Sequence, residues 1–518
     1  MSSLKRSRPA EATTECSPKK KKLDQPFTAQ RYLHIPPAFY LSTISGVTDD
    51  SPGTSLNIQD VFSGEFKRAL ITNFRCDHSW LFSQVPRLAQ VPVLCVEDRG
   101  NESVYPIEAS FFHQFPQFHR HIPTLKDRYG VHHTKMALLQ YETGLRVAIF
   151  TNNFIEQDWE AKAQGIYLQD FPKGHQGFSE HYFGPVLSNY LAELGCKEWS
   201  TIITQYDYTQ ARGALVPSVP GTHSGKALNR YGHNRLGVLQ RTGNKEKCGS
   251  SSSSSTSKNS SSNSISNELC AQVSSIGSID EKFLDQLKIS MSGREKAKVS
   301  PFSPTPRLPD LTIAWPSQIS IRGSNQGWGA GGSLCMPLRN YKTFLLDPEK
   351  QTKPYLVQWI PVRKRGNGMP HIKSYCGGPS LRRKSSSSYT IPWILLTSAN
   401  LSKAAWGILQ KNNSQLKIAH YELGVLIRPE YYANKELFSN TPNHPILGVN
   451  GSTPDSCYLT LMKSAGESTE IDAVTVPLPH VITQQVPFVL QGEEQPWRWQ
   501  TDFTTYGVDS YGRLCDGS

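Results

Sequence analysis

From near Phe27 onward the chain carries its apolar residues in short blocks separated by Gly, Pro and polar clusters, the pattern of an ordered α/β protein. FKRALITNF (66–74) reads as the end of a helix and VPVLCVE (91–97) as a buried strand. MALLQY (136–141) and LRVAIF (145–150) are β-type runs on either side of the turn Glu142-Thr143-Gly144, which predicts a hairpin or a closely spaced strand pair. PVLSNYLAEL (185–194) has helical spacing. At the opposite extreme, SSSSSSTSKNSSSNSIS (250–266) has almost nothing to bury and predicts a disordered surface insertion over about 249–266. KSSSSY (384–389) is a second, shorter one.

At 518 residues the chain exceeds what one hydrophobic core usually organises, so two domains are expected. The Pro/Gly-rich VPSVPGTHSG (216–225) marks the boundary. It divides the chain into a tail (1–27), a first half (28–218) and a second half (219–518).

Charge sharpens this picture. The formal net charge is +12; residues 1–23 account for +5 and residues 363–388, with seven Lys/Arg and no acid, for +7. Basicity concentrated in this way suits attraction of a polyanion. Lys5-Arg6 and Lys19–Lys22 in the disordered tail have the form of a bipartite nuclear import signal, so a nuclear protein is expected. No apolar run is long enough to span a bilayer, and the charged N-terminus lacks the apolar stretch of a secretory signal. The ten Cys are dispersed, with no C-x-x-C pair, which predicts reduced thiols inside a cell, serving as small buried apolar groups.

The chemistry lies in a repeat. In HHTK…VAIFTNNFIEQDW, His133 and Lys135 precede an apolar strand, then Asn153 and Trp159. In PHIK…WILLTSANLSKAAW, His371 and Lys373 precede a strand, then Asn400 and Trp406. The Asn-to-Trp offset is six in both. In extended backbone, residues i and i+2 share a face, so each His emerges beside its Lys. Each Asn follows a strand end, where α/β folds place ligands, and the two Trp are expected as core anchors. Packed face to face, the halves would bring together two His, two Lys and two Asn. Ammonium and amide groups can hold the charge of a pentacoordinate phosphoryl transition state, and one His on each side suits in-line displacement. His119, His121, His132 and His133 could suggest zinc, but they lack nearby Cys, and a metal is redundant beside two lysines.

These residues, with FYLSTISGV, YGHNRL, GWGAGGSL, LLTSANLSKAAWG, YELGVL and PWRW, resemble the tyrosyl-DNA phosphodiesterases, the "HKN" branch of the phospholipase D superfamily. The resemblance runs from about Pro36 to the C-terminus. The parent phospholipases carry an Asp five residues after the Lys; here Gln140 and Gly378 stand there, as in the HKN branch. The resemblance implies two similar α-β-α sandwich domains, mixed sheets flanked by helices and related by a pseudo-twofold. It implies that His133 attacks phosphorus, that His371 is the general acid and then base, and that Lys135, Lys373, Asn153 and Asn400 bind the phosphate. Glu422 would orient His133, and Gln164 would support His371. DNA contacts map to Tyr129 (where a Phe is expected), Ser275, Ser278, Ser333, Ser402 and Lys403, with Trp499 on the side of the protein adduct. A monomer is implied, with no metal or other cofactor and no membrane. Its substrates would be single-stranded DNA or DNA 3′ ends bearing topoisomerase I-derived peptides or phosphoglycolate. Another phosphodiester hydrolase of the superfamily and a non-catalytic single-stranded DNA-binding protein are the alternatives. The intact His pair speaks against the second, and the missing Asp residues against a lipid enzyme.

Overall fold

The structure, a computed structural model, describes residues 38–47, 54–174, 183–246, 268–294, 308–340, 355–362, 365–378, 389–429, 431, 446–450, 458–462 and 474–476, and from there 478, 480–482, 486, 488, 494–498 and 508–515. The basic tail, the Ser-rich insertion, residues 384–388 and Trp499 lie outside the described residues.

Two mixed sheets carry the molecule. The first runs Ser55–Leu56, Phe39–Ser42, Gly165–Pro172, Gly144–Phe150, Met136–Gln140, Arg68–Asn73, Val93–Glu97, Phe118–His121. The second runs Ala214–Ser218, Glu422–Ile427, Trp393–Thr397, Ser374–Gly378, Glu268–Gln272, Asp310–Trp315, Leu356–Gln358. Without the two-residue edge Ser55–Leu56, the sheets match strand for strand in spatial order, chain order and direction. In each, four antiparallel pairings are followed by two parallel ones. The short sequence repeat is thus the visible part of a duplicated α/β fold.

Strands covered on both faces read as continuous apolar runs, and the alternation shows only in what each residue touches. Leu138, Leu145, Val147 and Ile149 of the first sheet share one core with Ile394, Leu396, Leu423, Val425 and Ile427 of the second. Ala137, Leu139, Ala148 and Phe150 face an outer core with Phe82, Phe111 and Phe118. Trp393, Leu395 and Leu426 face the opposite outer core, with Phe283, Leu284 and Leu287 of the helix Glu281–Ser292. The halves meet closely at Gly165, where a Cβ would lie 2.6 Å from both Ile372 Cδ1 and Leu396 Cδ1. No helix among the described residues is long and apolar enough to cross a membrane.

Two local expectations change. FKRALITNF is not a helix end: Arg68–Asn73 is a strand, with Leu70 in the shared core and Ala69 and Ile71 in the outer one. A short apolar run buried on both faces looks the same as a helix segment in sequence. The strand Ala214–Ser218 already pairs with Glu422–Ile427, so the chain has passed into the second sheet ahead of the expected boundary at 218/219. Pro217 fits there because this is an edge strand. The hairpin and the helix Phe183–Glu193 form where expected.

Candidate active site

Each His-x-Lys lies in extended backbone just ahead of a strand, Met136–Gln140 or Ser374–Gly378, and each is tied to the opposite half. His133 N donates to Tyr421 O at 3.0 Å, and His371 N donates to Ala163 O at 3.0 Å. Tyr421 directly precedes Glu422, and Ala163 directly precedes Gln164. The halves therefore exchange partners. His133 Nδ1 lies 3.0 Å from Glu422 Oε2, while His371 Nδ1 lies 2.9 Å from Gln164 Nε2. Glu422 opens a strand of the second sheet, and Gln164 directly precedes the matching strand of the first. Each partner is held by a hydroxyl two residues before the motif Asn: Ser398 Oγ donates to Glu422 Oε2 at 2.5 Å, and Thr151 Oγ1 to Gln164 Oε1 at 2.7 Å.

At His133 this geometry selects the tautomer. Both Glu422 Oε2 and the Ser398 carbonyl, each 3.0 Å away, accept from Nδ1–H, which leaves the Nε2 lone pair free. Burial lowers the His133 pKa to about 4 against the opposing pull of Glu422, with Lys135 and Lys373 adding to the lowering. The ring is neutral at pH 7, with a lone pair available to a nucleophile or a base. Glu422 stays ionised well below the usual carboxylate range, because His133 and His420 outweigh its burial.

His371 faces two partners through one nitrogen. With the Gln164 amide oriented by Thr151, its Nε2 donates to Nδ1 and places the ring proton on Nε2. The Asp158 carboxylate, 3.3 Å from the same Nδ1, favours the imidazolium instead. The two partners favour different protonation states of one ring, an arrangement that suits a group able both to give and to take a proton. In the unliganded site, burial and Lys373 hold the His371 pKa well below its usual value, against Asp158.

The lysines repeat one arrangement, each ammonium donating to the carbonyl of its own motif His. Burial lowers the Lys135 pKa to about 7 against Glu422 and Asp158; burial and then Lys135 hold Lys373 well below its ordinary value. Each lysine is buried, and the charge of Lys135 is felt at Lys373, so an anion in this site would be favourable to both. Asn400 Oδ1 accepts from Ser274 N (3.1 Å) and Ser275 N (2.9 Å), so its amide nitrogen is turned away from these donors. Asn153 is gripped by Asp158 Oδ2, which accepts from its backbone N (2.7 Å) and Nδ2 (2.9 Å). Asp158 also pairs with Lys162 at 2.7 Å. Trp159 and Trp406 are buried anchors, as expected.

The expected DNA contacts are spread around this centre. Tyr129 is 71% exposed, with the Arg128 guanidinium on its ring. Ser275 uses its backbone to hold Asn400, and Ser278 is exposed in the same loop. Ser333 is half-buried, its hydroxyl donating to Ala330 O. Ser402 caps the helix Lys403–Trp406 by accepting from Ala405 N, and Lys403 pairs with Asp280. Arg365 of the basic run is buried and donates to Ser42 O at 2.7 Å, so it does not face a polyanion. The four His do not form one cluster, since His121 bonds Leu194 O at 2.8 Å and His119 is exposed. The sequence reading missed Asp158, Thr151, Ser398 and Phe74, whose ring stands edge-on to His133 at 5.1 Å. Thr151 and Ser398 were accessible, being two residues before the motif Asn in both halves. Asp158 was not, because Ala405 holds the matching place.

Residues 38–486 match the family model described as tyrosyl-DNA phosphodiesterase. The chain is 31% identical over 505 residues to tyrosyl-DNA phosphodiesterase 1 of Arabidopsis thaliana, covering 93% of this chain and 76% of that protein. To the Drosophila melanogaster protein of the same name it is 28% identical over 428 residues, covering 77% and 68%. The crystal structure of yeast tyrosyl-DNA phosphodiesterase has the same fold, with a TM-score of 0.55 at 20% identity over 77% of this chain and 90% of that one.

Proposed function

The chain belongs to the tyrosyl-DNA phosphodiesterase family, and from that premise we propose how it, a phosphodiesterase that hydrolyses 3′-phosphotyrosyl DNA adducts, divides the reaction between its half-sites. His133 Nε2 attacks phosphorus, the bond from phosphorus to the tyrosyl oxygen breaks, and His371 delivers a proton to that oxygen. A phosphohistidine joins His133 to the DNA 3′ end. Water then attacks phosphorus while His371 takes its proton, the P–N bond breaks, and a DNA 3′-phosphate leaves. Lys135, Lys373, Asn153 and Asn400 hold the equatorial charge, so the chemical step needs no metal. Glu422 steadies the positive ring of the phosphohistidine. Gln164 and Asp158 act through His371 as positioning residues.

The exchange of orienting partners across the interface carries this reading: the carboxylate goes to the His that becomes cationic while bonded to phosphorus, and the amide to the His that must cycle its proton. The reading extends to single-stranded DNA or DNA 3′ ends, with exposed Tyr129 as a stacking surface for a base, to other 3′ blocks such as phosphoglycolate, and to a monomer. The paired basic clusters of the tail support nuclear action.

An oligonucleotide with 3′-phosphotyrosine, incubated with the protein in EDTA, should be converted to the 3′-phosphate; no conversion sinks the reading. His133→Ala should abolish turnover. His371→Ala should accumulate covalent protein–DNA, and its absence with a good leaving group would reverse the roles assigned. Deleting residues 1–23 should leave turnover intact and abolish nuclear accumulation; a truncated chain that stays nuclear refutes import through the tail.

A further inference from the structure

On the outer face of the first sheet, away from the paired His-x-Lys motifs, lies a second polar cluster in an aromatic surround. Cys76-x-His78 and Cys95-x-Glu97 are two pairs with the same spacing, which in extended chain puts both members on one side. Cys95 and Glu97 sit on the strand Val93–Glu97; Cys76 follows the neighbouring strand Arg68–Asn73, and His78 opens the helix His78–Gln84. Cys76 Sγ, Cys95 Sγ and a ring nitrogen of His78 all lie within 4.8 Å of one another. Glu97 Oε1 is 2.8 Å from His78 Nε2. All four side chains are buried, among Phe82, Phe111 and Phe118.

We propose that Cys76, His78, Cys95 and Glu97 form a closed structural site for a divalent transition metal of the zinc class. Ligands around tetrahedral zinc stand roughly 3.3–3.8 Å apart for bonds of about 2.0 Å to N or O and 2.3 Å to S, so Cys76, His78 and Cys95 need only small side-chain shifts, and Glu97 completes the set by turning an oxygen from His78 towards the ion. Two thiolates, an imidazole and a carboxylate suit zinc. Charge also closes: two thiolates and Glu97 contribute three negative charges, balanced by the dication and by Arg120, whose Nε lies 3.3 Å from Glu97 Oε1. Asn101 fixes the outer layer, donating from Nδ2 to Glu97 Oε2 (2.7 Å) and to Cys76 O (3.1 Å) and accepting from Cys76 N (2.9 Å). Loading releases the two thiol protons.

Four protein ligands leave no position for a substrate, so the ion is structural. It braces the segment that positions the phosphate site: Phe154 N donates to Arg75 O (3.0 Å) and Asp77 N to Phe154 O (2.9 Å), on either side of Cys76, and Asn153 is the residue before Phe154. A shielded ion of this kind is compatible with turnover in EDTA.

The test uses the full chain, untagged, from zinc-supplemented medium, with metal content measured after purification without chelator. About one zinc per chain is expected, with less than ~0.1 in a Cys76→Val/Cys95→Val variant, which keeps apolar volume in the core. Wild type unfolded in EDTA and reductant, then refolded with Co2+, should show thiolate-to-cobalt charge transfer and tetrahedral visible bands. Zinc below ~0.1 per chain without a cobalt spectrum overturns the site. A Cys76–Cys95 disulfide in the peptide map, or a valine variant that keeps its zinc, does the same.

Discussion

Glu422→Gln isolates charge from shape at the nucleophile. Gln is isosteric and keeps an oxygen for His133 Nδ1–H, and the Ser398 carbonyl, also 3.0 Å from Nδ1, holds the tautomer. What disappears is one negative charge 3.0 Å from a ring that becomes cationic as the P–N bond forms. At an effective dielectric of about 20, unit charges at this separation interact by ~5 kcal/mol. The ring charge is shared between both nitrogens and Gln retains part of the hydrogen bond, so roughly half survives as a loss, ~2–4 kcal/mol, or about 30- to 1000-fold in the attack step. Single-turnover cleavage of a 3′-phosphotyrosyl oligonucleotide by rapid quench reads that step, and fluorescence anisotropy reads DNA affinity separately. The loss should fall on the rate, leaving Kd nearly unchanged. No acid limb should appear above pH 4, since removing the carboxylate lowers the His133 pKa further. A variant within ~3-fold of wild type, or one whose defect lies wholly in Kd, would refute electrostatic support by Glu422.

Phosphate binding should take up protons. Lys135 sits at about 7 in the unliganded site, with Lys373 also held well below its ordinary value, and a bound phosphate raises both; above pH 7 affinity for 3′-phosphate DNA should weaken by up to tenfold per pH unit per proton, and a Kd flat from pH 7 to 9 counts against this. Acid should destabilise the fold in a defined window. His133 and His132, lowered mainly by burial to about 4 and about 3 from 6.5, are protonated more readily in the unfolded chain, so unfolding free energy should fall as pH drops from 6.5 towards 4; equal denaturant midpoints at pH 7 and pH 5 would contradict it. Asp158→Asn should cost ~3 kcal/mol by leaving buried Lys162 unpaired. Asp158→Asn/Lys162→Met should recover much of that stability but not the rate, and a double variant restoring both would show that Asp158 serves the fold alone.

The repeat was legible because it is local. His-x-Lys, an apolar strand, Asn and Trp lie within 27 residues in the first half (133–159) and 36 in the second (371–406), and each part has one physical reason to be there. What crosses between halves leaves no local trace. Arg365 lies in an acid-free run and reads as part of a DNA-facing patch, yet it is buried against Ser42 O of the other half, where only the folded chain shows an acceptor waiting. Cys76 and Cys95 stand nineteen residues apart and read singly as small apolar groups; the parallel pairing of Arg68–Asn73 with Val93–Glu97 brings Cys76, just past the first strand, next to Cys95. The orienting pair lies between these cases. Glu422 and Gln164 differ in type and in distance from their motif Asn, but each immediately follows the residue whose carbonyl receives the backbone N–H of the opposite His. Duplication conserves that backbone register while leaving the side chain free to diverge. One half could then keep a charge for a covalent intermediate and the other a neutral amide for proton transfer, so the asymmetry of the reaction arises inside a symmetric scaffold.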